Sequence, residues 1–324
     1  MIENIPAAWP LRFGFVLTPK FSMISFASAV EALRLANRHV NEEKYAWNLL
    51  SADGTPVANS AGIQVGVDGP IEAYQGDAVV VCSGLEVERN TSSELIAAVR
   101  KIARTGKEIG AICTGAYVLA KAGLLEGYEC TLHWENLPGF TENFPEIEVT
   151  NELFEIDRNR FTCAGGTAAL DMMLNIITKH LGAETAAWVA DQCMHDRIRD
   201  KHDQQKITLP QRLGVRHPKL LSVIKMMEDN LEEPYSRADL AKTAALSTRQ
   251  LERLFRKYLN RSPARYYLEL RLNRSRLLLL QTDMPIIDVA MACGFVSASH
   301  FSKCYRDFYG KTPRKERGLP AVEL

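Results

Sequence analysis

An α/β sandwich over about residues 11–195, followed by an all-α domain over 217–317, is the fold class this 324-residue sequence predicts. Three observations predict it. Short apolar runs alternate with amphipathic helical stretches from Leu11 to Leu181, and strand signals cease from Pro218 onward. Charge divides along the same line: residues 1–195 hold 14 Lys and Arg against 24 Asp and Glu, whereas 196–324 hold 25 against 15. A net charge of zero therefore hides an acidic half and a basic half, and the basic half points to a polyanionic partner. Third, the basic half repeats itself.

Strands are expected at Leu11–Leu17, Ala46–Ser51, Ala78–Cys82 and Glu108–Ile112. Helices are expected at Met23–Asn37, Ser92–Thr105, Gly115–Ala122 and Ala168–Leu181. Strand and helix in turn imply a mainly parallel sheet covered on both faces. Residues 196–216, polar and basic with Pro210 and Gly214, read as a linker. No run of eighteen apolar residues occurs, so no membrane-spanning helix is expected. Met1–Pro10 lacks the basic stretch and apolar core of a secretory leader. Seven cysteines without a Cys-x-x-Cys pair exclude a disulfide framework or structural zinc and fit a reducing cytoplasm. No metal or cofactor is expected.

In the repeat, Ser247, Leu251, Arg253, Phe255, Arg256, Tyr258, Ser262 and Pro263 recur fifty positions on as Ser297, Phe301, Lys303, Tyr305, Arg306, Phe308, Thr312 and Pro313. Upstream, Asp239-Leu240-Ala241 is echoed by Asp288-Val289-Ala290. Each copy reads as a short helix, a turn, and a second helix opened by a serine cap, with Gln250 completing a capping box on Ser247. Gly294 sits at the sharp turn of the second copy. Leu251, Leu254 and Phe255, or Phe301, Cys304 and Tyr305, face inward. The outer faces carry Arg249, Glu252 and Arg253, or Ala298, Ser299 and Lys303. A helical bundle needs the inner stripe alone; duplicated basic outer faces suit helices laid in the major groove.

The segment from Leu246 to Phe255, and that from Ile287 through Gly294, Phe295, Ser299, His300 and Phe301 to Pro313, resemble the two helix-turn-helix units of the AraC/XylS regulators. The likeness covers about Pro218 to Arg317. It implies double-stranded DNA as a partner, RNA polymerase as another, and base contacts from Arg249, Glu252, Arg253, Ala298, Ser299 and Lys303. Lys257, one turn beyond Arg253, is expected on a phosphate. Ala298 offers only a methyl group, so the second unit leans more on phosphates and DNA shape.

In the acidic half, Cys113 ends a strand and is followed at once by Thr114, Gly115 and a helix, a place where the helix dipole favours thiolate. His133 and Trp134 lie twenty residues on. With Ser83-Gly84-Leu85, these residues resemble the glutamine amidotransferase-like superfamily in its PfpI branch, over about Leu11 to Leu181. The likeness implies a flavodoxin-like three-layer sandwich. Joined to an AraC/XylS domain, it resembles regulators of arginine, glycine betaine or carnitine catabolism, in which this domain is a sensor. Many PfpI-branch proteins carry an acid in the first helix beside the cysteine. Here Ser25 takes that position, and Glu31 lies nearly two turns further along. Cys113 and His133 are therefore vestigial candidates, and no catalysis is expected.

The expected function is a dimeric, ligand-responsive transcriptional activator. The alternatives are a cysteine-dependent hydrolase or deglycase with a DNA-binding domain, and an architectural DNA-binding protein. Ser25, Phe26, Ser83, Gly84, Cys113, Thr114, His133 and Trp134 are expected to line the effector pocket at the C-terminal ends of the strands. Amides at the start of the Cys113 helix suit a carboxylate, and Phe26 and Trp134 suit a cationic amine.

Overall fold

The computed structural model describes residues 2, 4, 6 and 8–318, and the chain divides into two compact units, Met1–Gln205 and Lys206–Leu324. Among the described residues, the first unit holds a seven-stranded sheet. Its strands are β1 (Leu11–Leu17), β2 (Tyr45–Ser51), β3 (Gly69–Pro70), β4 (Ala78–Cys82), β5 (Glu108–Ile112), β6 (Phe154–Asp157) and β7 (Arg160–Cys163). The spatial order is β6-β7-β5-β4-β1-β2-β3, and every pairing is parallel except β6 with β7. Around it run α1 (Met23–Val40), α2 (Ser93–Ala103), α3 (Ala116–Lys121), α4 (Ala168–Leu181) and α5 (Ala183–Gln192).

The central strands are apolar along most of their length, Arg12 and Glu108 apart, because helices cover both faces. Phe13, Phe15, Leu17, Val80 and Cys82 pack with α1, α4 and α5, while the alternate residues Val16, Val79, Val81, Ile109 and Ala111 pack with α2 and α3. This is the predicted flavodoxin-like sandwich. Connections from β1 lead to β2 on one side and, through β3, to β4 on the other, so a crevice opens between β1 and β4 at the strands' C-terminal ends. The hairpin of β6 and β7 was not predicted. Its charged residues conceal it: Arg160 is buried because its guanidinium donates to the carbonyls of Leu124 at 2.8 Å and Asn159 at 3.1 Å.

Residues 196–216, expected as a linker, divide between the units. Up to Gln205 they are hydrogen-bonded to loops of the first unit. Beyond it, α6 (Leu209–Leu213) starts on a capping box of Thr208 and Gln211, and Val215 is buried in the second unit's core. The polar composition that reads as a linker is instead spent on internal hydrogen bonds.

The second unit continues with α7 (Pro218–Asp229), α8 (Arg237–Thr243), α9 (Thr248–Leu259), α10 (Pro263–Gln281), α11 (Ile286–Ala292), α12 (Ala298–Tyr309) and α13 (Pro313–Glu316). It has two cores. Leu220, Leu240, Leu251 and Phe255 cluster with Tyr266 and Tyr267, whereas Val289, Phe295, Phe301 and Tyr305 cluster with Leu272 and Leu279. Helix α10 supplies both clusters and so ties the two halves together. Among the described residues, no helix is long and apolar enough to cross a membrane.

Candidate functional sites

At the end of β5 the chain reverses so sharply that Cys113 adopts φ 61°. Its amide donates to the Cys163 carbonyl at 3.0 Å, and its carbonyl accepts from the His133 amide at 3.3 Å. The Thr114 hydroxyl donates to the Gly84 carbonyl at 2.7 Å, and the Thr18 hydroxyl to Ser83 Oγ at 2.9 Å. Ser83, Gly84, Cys113, Thr114 and His133 are thus brought together, as predicted from their positions at strand ends. Gly165 completes the enclosure, and no signal in the sequence marks it. A Cβ there would stand 2.7 Å from Cys113 Cβ, and its φ is +91°, so only glycine fits.

The chemistry of this elbow differs from the expectation. Burial pushes the Cys113 thiol up to about 11, outweighing the hydrogen bond from the Thr114 amide; the nearby Glu135 adds to the rise. Helix α3 cannot oppose this strongly, being only six residues long. Its first amides also turn inward: those of Gly115, Tyr117 and Val118 donate to the carbonyls of Ile112, Thr114 and Gly115. Neither a thiolate nor an anion is therefore favoured at this helix start. We expect Cys113 in the folded chain to react with iodoacetamide at pH 8 about a hundred times more slowly than an unperturbed thiol, which ionises near 9.0. The rate should climb as pH rises toward 11, which mass spectrometry of the alkylated peptide would follow. A pH-independent fast rate would contradict the burial argument.

Ser25 stands where the acid was sought, fully buried on α1. It accepts the Gly166 amide at 2.6 Å and donates to Ser22 Oγ at 2.8 Å. Its role is to fix the loop over Cys113. Glu31 is exposed and paired with Arg34 at 2.5 Å, away from any chemistry. Phe26 is buried and makes T-shaped contacts with Phe15 and Phe21, with ring centroids at 5.9 and 5.7 Å, so its ring belongs to the core. Trp134 is half-buried, its ring 5.4 Å from that of His133 and its amide donating to Gln205 Oε1 at 2.8 Å. A separate cleft of about 560 Å³ opens at the ends of β1 and β2, lined by Thr18, Ser51, Asp53, Arg89 and Leu95 among others. None of Cys113, His133 or Trp134 lines it.

In the second unit the capping box forms as read. The Gln250 amide donates to Ser247 Oγ at 3.2 Å, and the Ser247 amide to Gln250 Oε1 at 2.7 Å. Leu251 and Phe255 anchor α9, and Phe301 and Tyr305 anchor α12. Arg249, Arg253 and Lys257 then lie exposed at successive turns of α9. Glu252 is half-buried and paired with Arg237 of α8 at 3.1 Å, so its carboxylate is held against the neighbouring helix. On α12, Ser299 and Lys303 are exposed and Ala298 is half-buried. Gly294, at φ +71°, turns the chain where a Cβ would meet the carbonyl oxygens of Leu231 and Glu232 at 2.7 Å. Val296 is 96% exposed just ahead of the α12 cap.

Residues 240–318 match the helix-turn-helix domain family, and 13–179 match the DJ-1/PfpI family. The HTH-type transcriptional regulator GbdR of Pseudomonas aeruginosa is 48% identical over 319 residues, 97% of this chain and 87% of that protein. The HTH-type transcriptional regulator CdhR of the same species is 44% identical over 308 residues, 95% and 91% of the two chains. A crystal structure of an AraC family transcriptional regulator from Pseudomonas putida aligns with 57% of this chain and all of that one, at TM-score 0.52 and 30% identity. With an elbow domain of the DJ-1/PfpI family and a helix-turn-helix domain with two capped second helices on one chain, this protein belongs to the AraC-type HTH transcriptional regulators.

Proposed function

We propose that the protein is a cytoplasmic transcriptional activator that responds to a small amine or amino-acid-like metabolite and catalyses no reaction of its own. The observation that carries this reading is the state of the elbow. Its thiol is buried, which pushes its ionisation up to about 11, and the position of the usual acid is filled by Ser25, which is committed to the Gly166 amide. Nucleophilic catalysis needs an activated thiol, whereas recognition needs only a shaped and chemically selective surface. Ser83, Gly84, Cys113, Thr114, His133 and Trp134 are the proposed effector contacts. Trp134 offers the aromatic face for an ammonium or guanidinium group, because Phe26 is sequestered. Glycine betaine, carnitine and arginine, each with a cationic nitrogen, are the ligands that the Trp134 face and the sequence resemblance favour. In the second unit, Arg249 and Arg253 supply base contacts, joined by Ala298, Ser299 and Lys303, with Lys257 on a phosphate and Glu252 kept in its pair with Arg237. A homodimer formed through the first unit would place two such readers on repeated half-sites and present RNA polymerase with a fixed surface.

Calorimetric titration of the full chain with these three compounds tests the sensor reading, alongside a reporter assay of Cys113→Ser. We expect at least one compound to bind below millimolar concentration, and Cys113→Ser to retain ligand-dependent transcription. Turnover of glutamine, peptides or glycated amines that disappears in Cys113→Ser would instead establish a cysteine-dependent enzyme.

A further inference from the structure

The chain leaves the first unit along residues 195–205, and this strap is fastened to both loops that enclose Cys113. At its near end, the Arg199 guanidinium donates from Nε and Nη2 to Asp171 Oδ2 at 2.9 and 2.6 Å, and the Arg199 amide donates to Asp171 Oδ1 at 2.8 Å. His195 Nε2 lies 2.8 Å from the same Oδ1. Asp171 has no exposure at all, so these partners are what keep its carboxylate inside the fold. Arg199 Nη2 also reaches Thr167 Oγ1 at 2.6 Å, on the turn whose Gly165 covers Cys113 and whose Gly166 amide is held by Ser25.

Midway, the Lys201 carbonyl accepts the Leu153 amide at 2.9 Å and His202 Nδ1 lies 3.2 Å from Glu152 Oε2; at its far end the strap meets the other loop through Gln205. Gln205 Oε1 accepts the Trp134 amide at 2.8 Å, while Nε2 donates to the Leu132 carbonyl at 3.1 Å, the Glu152 carbonyl at 2.9 Å and Thr131 Oγ1 at 3.1 Å. His133, between Leu132 and Trp134, donates its amide to the Cys113 carbonyl. One residue after Gln205, the second unit begins at Lys206.

We infer that this strap carries effector occupancy of the elbow to the DNA-binding unit, with Gln205 as its movable end and the Asp171–Arg199 pair as its fixed one. The inference rests on the effector reading of the elbow. A ligand seated against Trp134 changes the position of the peptide that Gln205 holds. The two ends differ in strength for a physical reason. Arg199 makes charge-assisted bonds to a buried carboxylate, whereas Gln205 makes neutral ones at a half-buried position, where water competes. The neutral end exchanges partners at little cost while the charged end stays fixed. Gln205 is thus a positioning residue: it need not touch the ligand.

The test uses the full chain with arginine, glycine betaine and carnitine as probes. Calorimetry reads binding, and an operator reporter reads response. Gln205→Ala is expected to bind the active probe within about threefold of the parent affinity while losing its transcriptional response by about tenfold or more. In the unmodified chain, hydrogen exchange at the Trp134 amide and across 198–205 should change on adding the probe. Retained response in Gln205→Ala with unaltered binding, or strap amides indifferent to a bound probe, overturns the inference and leaves the effector reading standing. A parent protein that binds none of the three overturns that reading, and the inference falls with it.

Discussion

Replacing Asp171 by alanine is expected to destabilise the first unit by roughly 3–5 kcal/mol, the usual cost of removing one partner from a buried ion pair. The carboxylate is wholly buried, and Arg199 loses two guanidinium bonds and the acceptor of its amide at once. His195 loses its partner as well. Because the Arg199 side chain keeps 25% exposure, water relieves part of the loss, so the lower end of that range is expected. Thermal unfolding of the first unit should shift down by about 10 °C, given some 2–4 °C per kcal/mol for a unit of this size. Asp171→Asn should fall between, since the amide oxygen still accepts while the charge is gone. An Asp171→Ala protein melting within a degree of the parent would show that the strap is not held by this carboxylate.

Arg249→Ala and Arg253→Ala are each expected to reduce discrimination between operator and random DNA by about 1–3 kcal/mol, the worth of a bidentate contact to a guanine edge. Both lie exposed one turn apart on a helix whose start is fixed by the Ser247–Gln250 box and whose inner face is fixed by Leu251 and Phe255. Lys257→Ala should instead weaken specific and random DNA alike and flatten the salt dependence, as loss of a phosphate contact does. Competition binding at two salt concentrations separates the cases. Undiminished specificity in both arginine variants would remove α9 from the major groove.

The parts that were legible in the sequence are those whose causes are local. Three of the strands announce themselves because both faces are largely apolar, and α9 because its cap and its first turn satisfy each other within four residues. What stayed hidden depends on partners far along the chain. Arg160 makes a buried strand residue only because the Leu124 carbonyl waits for it. Residues 195–205 look solvated until Asp171, Thr131 and Glu152 are seen to receive their donors. The elbow divides in the same way. Its strand–turn–helix position is written locally, but the ionisation of Cys113 is set by burial, which no local pattern encodes.

The boundary at Gln205 bears on how such a protein can be rearranged. A sensor excised after residue 195, the domain bound expected from the sequence, would leave behind Arg199, Lys201 and Gln205, with His195 as the remaining partner of Asp171 among those described above. Cut between Gln205 and Lys206, the same sensor carries every one of those bonds with it. Chimeras that exchange DNA-binding units among regulators of this kind therefore have one natural splice point, and it lies ten residues later than the expected end of the sensor at 195.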